Sequence, residues 1–294
     1  MLLSNLSFEM LSPTVIAIPV FALLIAVEAF FVFRENRENF DHKDAGTNIF
    51  IGLMSVVWGA LFGLVTGYFY LMIYEIVPYK MPMNAWWTWA LLLFVDDFAY
   101  YWFHRFSHEI RFFWNFHVVH HSSNQYNLSV AVRQSWFGGI AHWIFYLPVA
   151  LLGFPFWAFA TMHGLNLIYQ FWIHTKLVGK LGFLEKIFNT PSHHRAHHGV
   201  NDQYLDKNYA GIFIIWDRMF GTFVEESEEV RYGIITPLTS NNPLWINSHG
   251  WAETWTAMRA KRTFRGKMRC VFGAPSMEFE ERLDKASRDR LISN

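Results

Sequence analysis

Cysteine is nearly missing from the 294-residue chain: Cys270 stands alone, which excludes an intramolecular disulfide and any Cys-rich metal site. Charge is scarce as well. Soluble domains carry roughly 25% charged residues, whereas this chain has 16%, with 53% hydrophobic and 19% aromatic. Its 24 basic and 24 acidic residues cancel. No positive excess remains to neutralise a phosphate backbone, so nucleic acid is excluded as a partner. Low-complexity linkers and fold-scale repeats are also absent. No Lys or Arg precedes the first apolar run, so no cleavable signal peptide is expected and that run reads as a retained membrane helix.

What the chain has instead is apolar runs, and many histidines. The first run, Ser12 to Phe33, is long enough to span about 30 Å of hydrocarbon. A second covers Thr47 to Val77 and a third Asn84 to Phe103. Two more lie between Trp136 and Ile173, with Gly153-Phe154-Pro155 reading as a tight turn between helices. These runs predict an all-α, polytopic membrane helical bundle of about four to five transmembrane or re-entrant helices. The loop after the first run carries Arg34, Arg37 and Lys43, and 17 of the 24 Lys and Arg residues follow His174. The positive-inside rule therefore places that loop and the C-terminal region in the cytoplasm. The histidine clusters fall on the same side, as a cytosolic helical cap. Trp86, Trp87 and Trp89 read as an interfacial aromatic belt, and Met277 to Ile292 as a charged cytoplasmic helix.

Fourteen histidines are present, and eight of them form three motifs: His104-Arg-Phe-Ser-His108, His117-Val-Val-His120-His121 and His194-Arg-Ala-His197-His198. Residues three and four apart share a helix face. His104 and His108 are thus expected to point at one metal, with His117, His120 and His121 forming a three-ligand face that His194, His197 and His198 repeat. Thr190 as cap, Pro191 at the first helical position and Gly199 at the end predict a short helix under the third motif. Eight ligands are too many for one metal and suit two. All-nitrogen ligation without cysteine points to iron, zinc or copper rather than magnesium or calcium. One HxxxH is common on exposed helix faces; three such motifs on one side of a membrane are accounted for by metal binding. A metal transporter would instead string polar residues through its helices, which here are apolar and aromatic.

In order and spacing the three motifs resemble those of the fatty acid hydroxylase/sterol desaturase superfamily of membrane di-iron oxygenases. Further matching stretches resemble its ether-lipid-cleaving branch, which acts on alkylglycerols. They are Tyr100-Tyr-Trp-Phe-His-Arg105, Tyr126-Asn-Leu-Ser129, Arg133-Gln-Ser135, Gln170-Phe-Trp-Ile-His-Thr175, Asn189-Thr-Pro-Ser-His-His-Arg195, Lys207-Asn-Tyr-Ala-Gly211 and Ile215-Trp-Asp-Arg-Met-Phe-Gly-Thr-Phe223. The resemblance covers about 45–240 of a single membrane domain of 1–294, leaving a cytosolic tail of about 241–294. It implies that His104, His108, His117, His120, His121, His194, His197 and His198 ligate two iron ions, with His174 a further ligand and His193 an open candidate. It also implies an O2-dependent monooxygenase that hydroxylates a membrane lipid beside its ether oxygen, giving a fatty aldehyde and a glycerol derivative. No flavin- or cytochrome-like segment is legible, so an external electron donor is expected, and the resemblance implies tetrahydrobiopterin. A sterol or fatty-acyl hydroxylase or desaturase, or a hydroxylase of ornithine-headed lipids, is the alternative. It is favoured by the lack of the further C-terminal apolar segments expected of the animal ether-lipid enzymes. Nothing in the sequence specifies an oligomeric state.

Ionisable residues within a membrane span default to functional roles. Asp97, two turns before His104, is expected to accept a ligand's second N–H, with Asp96 a weaker candidate. Asn208, Asp206 and Asp217 are supporting candidates by resemblance, and Glu109 is open between such a role and a solvated charge. His142 and His163 read as buried histidines bonded to nearby backbone, His42 and His249 as surface residues, and Glu28 has no assigned role.

Overall fold

The computed structural model describes residues 13–34 and 41–276. The helix expected over Met277–Ile292 and the central part of the first basic loop lie outside the described residues. Among them the architecture is helical, with only two isolated β-bridges, Phe188 to Phe213 and Gly199 to Tyr232.

Helix α1 (Pro13–Arg34) and helix α2 (His42–Ile76) carry the first two apolar runs. At 1.5 Å per residue they reach about 33 Å and 52 Å, enough to cross a bilayer. Only 11% of the apolar window of each is buried inside the protein. A soluble core helix would bury most of such a surface. Here Val20, Leu23, Phe30, Leu53, Val57, Leu61 and Leu64 point outward, which is where lipid takes the place of a core. The chain is a membrane protein. Asp41 caps α2 by accepting from the Lys43 and Asp44 N–H groups.

The third run becomes α3 (Trp86–Glu109), which continues past the apolar stretch and carries His104 and His108 in its last turns. A one-residue corner at Ile110, with extended backbone, starts α4 (Arg111–His121) at once. Two of the three motifs therefore sit on adjoining helices that pack against each other. A single turn, α5 (Leu128–Ala131), follows.

The run expected to form a fourth helix, transmembrane or re-entrant, is broken into short pieces. It consists of α6 (Gly139–His142), a 3₁₀ turn (Trp143–Tyr146) and α7 (Leu147–Leu151). End to end this reaches about 20 Å, short of a bilayer. The expected turn at Gly153 is present, with φ +82°. A Cβ there would lie 2.3 Å from the Tyr79 carbonyl oxygen, so backbone and space both require glycine. Helix α8 (Phe156–Trp172) then returns, packing on α1 and α3. The bundle core between these elements holds Tyr70, Leu92, Tyr146, Val149, Phe154 and Ala158.

Four further helices complete the fold: α9 (Pro191–His197), α10 (Ile215–Phe220), α11 (Pro243–Ala260) and α12 (Phe264–Phe272). Helix α9 is the short helix expected under the third motif, with Pro191 at its first position. Thr190 occupies the cap position but does not cap; its hydroxyl donates to Glu185 instead.

Candidate metal centre

Nine histidines converge in two adjoining sets. One consists of His104, His108, His117, His121 and His197; the other of His120, His174, His194 and His198. Within each set the candidate ligand nitrogens lie within 4.8 Å of one another.

The division does not follow the motifs. On a helix, positions i and i+4 are about 40° apart, whereas i+3 and i+4 are about 100° apart. His117 and His121 accordingly share one set while His120 turns to the other. His194 and His198 share the second set while His197 crosses to the first. The expectation of two three-ligand faces is corrected on this point: each HxxHH motif serves both sets. His174, on the loop after α8, is the fourth member of the second set, with its Nε2 3.1 Å from His120 Nε2 and 2.9 Å from His194 Nε2.

The chemistry of these nitrogens fits a cation. The Nδ1–H of His104 donates to the Tyr209 carbonyl at 2.8 Å, that of His174 to Gln170 at 2.7 Å and that of His197 to Lys207 at 2.8 Å. A carbonyl can only accept, so in each neutral ring the lone pair sits on Nε2. Burial first, and neighbouring imidazoles second, hold His117, His121, His194 and His198 well below the ordinary imidazole pKa; burial brings His174 down to about 3. The Nε2 lone pairs so fixed point at other imidazoles: His104 Nε2 lies 2.9 Å from His117 Nε2, and His197 Nε2 lies 3.2 Å from His121 Nε2. His108 Nε2, His198 Nε2 and His194 Nδ1 are buried without any hydrogen-bond partner. Buried ring nitrogens left without a partner are costly, and a metal ion is a group that would satisfy them.

The surroundings are built to fix these rings. Arg133 is fully buried, with Nε donating to the Val119 carbonyl, Nη2 to Ser122 and Nη1 to Asn48, which bolts the C-terminus of α4 to α2. Arg195 forms a two-point pair with Glu226, 2.7 Å on each side, and donates to the Thr175 and Val178 carbonyls, tying α9 to the His174 loop. Asp217 accepts from the Tyr209 and Ala210 N–H groups at 2.8 Å and from the Thr222 hydroxyl, steadying the carbonyl that orients His104.

Several expected roles change. Asp97 does not touch a histidine. Its carboxylate accepts from the Ile212 and Phe213 N–H groups, the Trp216 indole and Asn166, because the 209–213 loop intervenes and the Tyr209 carbonyl takes the His104 N–H. Gly211 lets that loop approach, since a Cβ there would lie 2.7 Å from Asp97 Oδ1. Asn208 contacts backbone rather than imidazole, donating to the His193 and Val224 carbonyls. The His193 ring turns away from both sets towards Phe223. Asp206 stands 3.8 Å from His108 Nδ1, beyond a hydrogen bond, and Glu109 pairs with Arg105. His163 bonds the Asp96 carboxylate rather than backbone, while His142 keeps the expected backbone bond, to Gly138. His249, expected at the surface, is buried with Nδ1 on the Ile246 carbonyl.

Glu28 carries the contact that sequence reasoning missed. Buried in the C-terminal half of α1, it accepts from the Leu128 N–H at 2.6 Å and from the Thr175 hydroxyl, beside His174. An acidic residue within a membrane span was the available signal. Glu28→Ala leaves two buried donors unpaired, an expected loss of about 1–3 kcal/mol for each. It is also expected to lower metal retained by the second set, and Glu28→Gln to restore part of it. Metal content of the folded variants checks this, and unchanged retention in Glu28→Ala would refute the link.

A histidine-lined candidate metal site on a helical membrane scaffold defines the class, and comparison shows what the chain is similar to. Residues 89–222 match the fatty acid hydroxylase family. It is 43% identical over 233 residues to human (Homo sapiens) alkylglycerol monooxygenase, covering 79% of this chain and 52% of that protein. It is 57% identical over 159 residues to the Danio rerio alkylglycerol monooxygenase, covering 54% of this chain and 35% of that protein. An ornithine lipid hydroxylase of Rhizobium tropici is 31% identical over 144 residues, covering 46% of this chain and 41% of that protein. The chain spans about half the length of these relatives or less. No solved structure matches it.

Proposed function

We propose that the chain is an O2-dependent di-iron monooxygenase of the membrane that hydroxylates alkylglycerols at the carbon beside the ether oxygen. The observation that carries this reading is the pair of histidine sets, with the lone pairs of His104, His174 and His197 fixed on Nε2, in a chain 43% identical to an alkylglycerol monooxygenase. One oxygen atom of O2 enters the C–H bond. The other leaves as water with two protons and two electrons from an external donor, for which tetrahydrobiopterin is the candidate. The resulting hemiacetal collapses to a fatty aldehyde and a glycerol derivative.

His104, His108, His117, His121 and His197 would hold one iron, and His120, His174, His194 and His198 the other. When bound, the irons supply the activation of O2. The chain's own part is orientation and exclusion of water. The Tyr209, Gln170 and Lys207 carbonyls hold three rings in one tautomer. Phe103, Phe106 and Phe113, each against Phe145, offer an apolar path by which an alkyl chain could approach from the bilayer. The distribution of Lys and Arg supports a cytoplasmic site. The length of α3 supports a third span, and the short pieces of 139–151 support re-entry.

The test is aerobic incubation of the purified full chain with an alkylglycerol, with and without tetrahydrobiopterin, together with metal analysis. Aldehyde release by iron-loaded protein is the expected result. A hydroxylated acyl chain without aldehyde would favour the second reading, a hydroxylase of amino-acid-headed lipids, which the Rhizobium tropici relative supports. Exchangeable single-metal binding with no product would overturn both.

A further inference from the structure

Helix α12 wears its apolar stripe on the outside. At about 100° per residue, Phe264, Met268, Val271 and Phe272 share one arc of the helix. In a soluble protein that arc would face the core. Here Phe264 is 77% exposed and Phe272 58%, while Cys270, on the opposite side, is the helix's buried residue. Arg265 and Arg269 flank the stripe on one edge and Lys267 on the other. The preceding turn adds Arg259, Lys261 and Arg262, with Trp255 of α11 61% exposed nearby. From Thr254 to Ser276 there are six Lys or Arg residues and no Asp or Glu.

Position supplies the second observation. Helix α11 anchors this unit to α2, where Ile246 packs with Ile51 in a buried cluster. That is the level at which the outward apolar surface of α2 begins, with Ile49, Phe50 and Leu53 exposed. The backbone N–H of Arg111 donates to the Gly273 carbonyl, holding the end of α12 against the start of α4. A basic-edged apolar stripe is thus fixed beside the start of the outward apolar surface of α2.

We propose that Arg259–Phe272 is an interfacial element that inserts Phe264 and Phe272 among lipid chains and binds the phosphates of anionic phospholipid headgroups through its basic edges. The positive charge of Arg262, Arg265 and Lys267 selects anionic over zwitterionic lipid, and the flanked stripe selects a surface over a soluble ion.

The test uses the full chain in nanodiscs, with an environment-sensitive fluorophore on Phe264→Cys in a Cys270→Ser background. The expected result is a blue shift and quenching by spin-labelled lipid in discs containing phosphatidylglycerol, both weaker in phosphatidylcholine alone. As a measurement that needs no cysteine variant, native mass spectrometry of the otherwise unmodified chain should show retained phosphatidylglycerol. Arg262→Gln, Arg265→Gln and Lys267→Gln together are expected to weaken that retention on the order of 100-fold. A label equally water-exposed in both lipids would overturn the proposal. So would a blue shift reproduced by inorganic phosphate, or one that tracks a dimer of the chain rather than the lipid.

Discussion

Replacing His174 with alanine should deprive the second histidine set of metal and stop the proposed lipid oxidation. His174 Nε2 lies between His120 and His194, and its ring is held by the Gln170 carbonyl. Its loss leaves three imidazoles around a buried space that four now fill. Loss of an outer partner of a metal ligand typically costs about 10–100-fold, so loss of a ring within the set should exceed 100-fold in activity and lower metal content. His193→Ala is the matched control. That ring lies one residue from a member of the second set but faces Phe223, and its removal should leave metal content unchanged. Full metal retention in His174→Ala, or metal loss in His193→Ala, would reverse the assignment of the two residues.

The second large effect belongs to Asp97, and it is one of stability. Asp97→Ala strips the acceptor from two backbone N–H groups and an indole N–H that are held at 2.7, 3.0 and 2.9 Å. Removing one side of a buried, hydrogen-bonded charge site costs about 3–5 kcal/mol. For a chain of this size that corresponds to a fall in Tm on the order of 10 °C. Asp97→Asn keeps one carbonyl oxygen and should lose less. Thermal unfolding of metal-free protein in detergent reads the effect without reference to activity. A Tm that stays at the wild-type value would mean the 209–213 loop is held by other contacts.

Much of this was legible beforehand, for reasons that differ by residue. The helical spacing of His104 and His108, and the Pro191 start of α9, are local properties, and periodicity carries them well. The apolar runs located α1 and α2 because lipid leaves no choice but helix for an exposed apolar segment. Allocation of the HxxHH residues was less accessible. Whether His120 joins His117 or His174 depends on which helix stands opposite, and spacing within one helix is silent on that. Asp97 misled for a similar reason. It lies on the face of His104, but the 209–213 loop arrives between them from more than a hundred residues away in sequence. Glu28 was visible as an anomaly, while its partners Leu128 and Thr175 were not. His249 was placed at the surface because a lone histidine near Trp and Gly carries no pattern at all.

The crossing of the HxxHH motifs has a consequence for how the protein would acquire its metals. His120 and His121 are adjacent on α4, and His197 and His198 adjacent at the end of α9, with one of each pair in each set. Ordering both pairs, on α4 and α9, for one ion also orders two members of the other set, two of its four or two of its five, before a second ion arrives. The first ion therefore meets the cost of arranging α4 against α9, and the second finds that cost already met. Titration of the metal-free chain should proceed from empty to doubly loaded with few singly loaded molecules, and the two affinities should not be separable by single substitutions at these four positions.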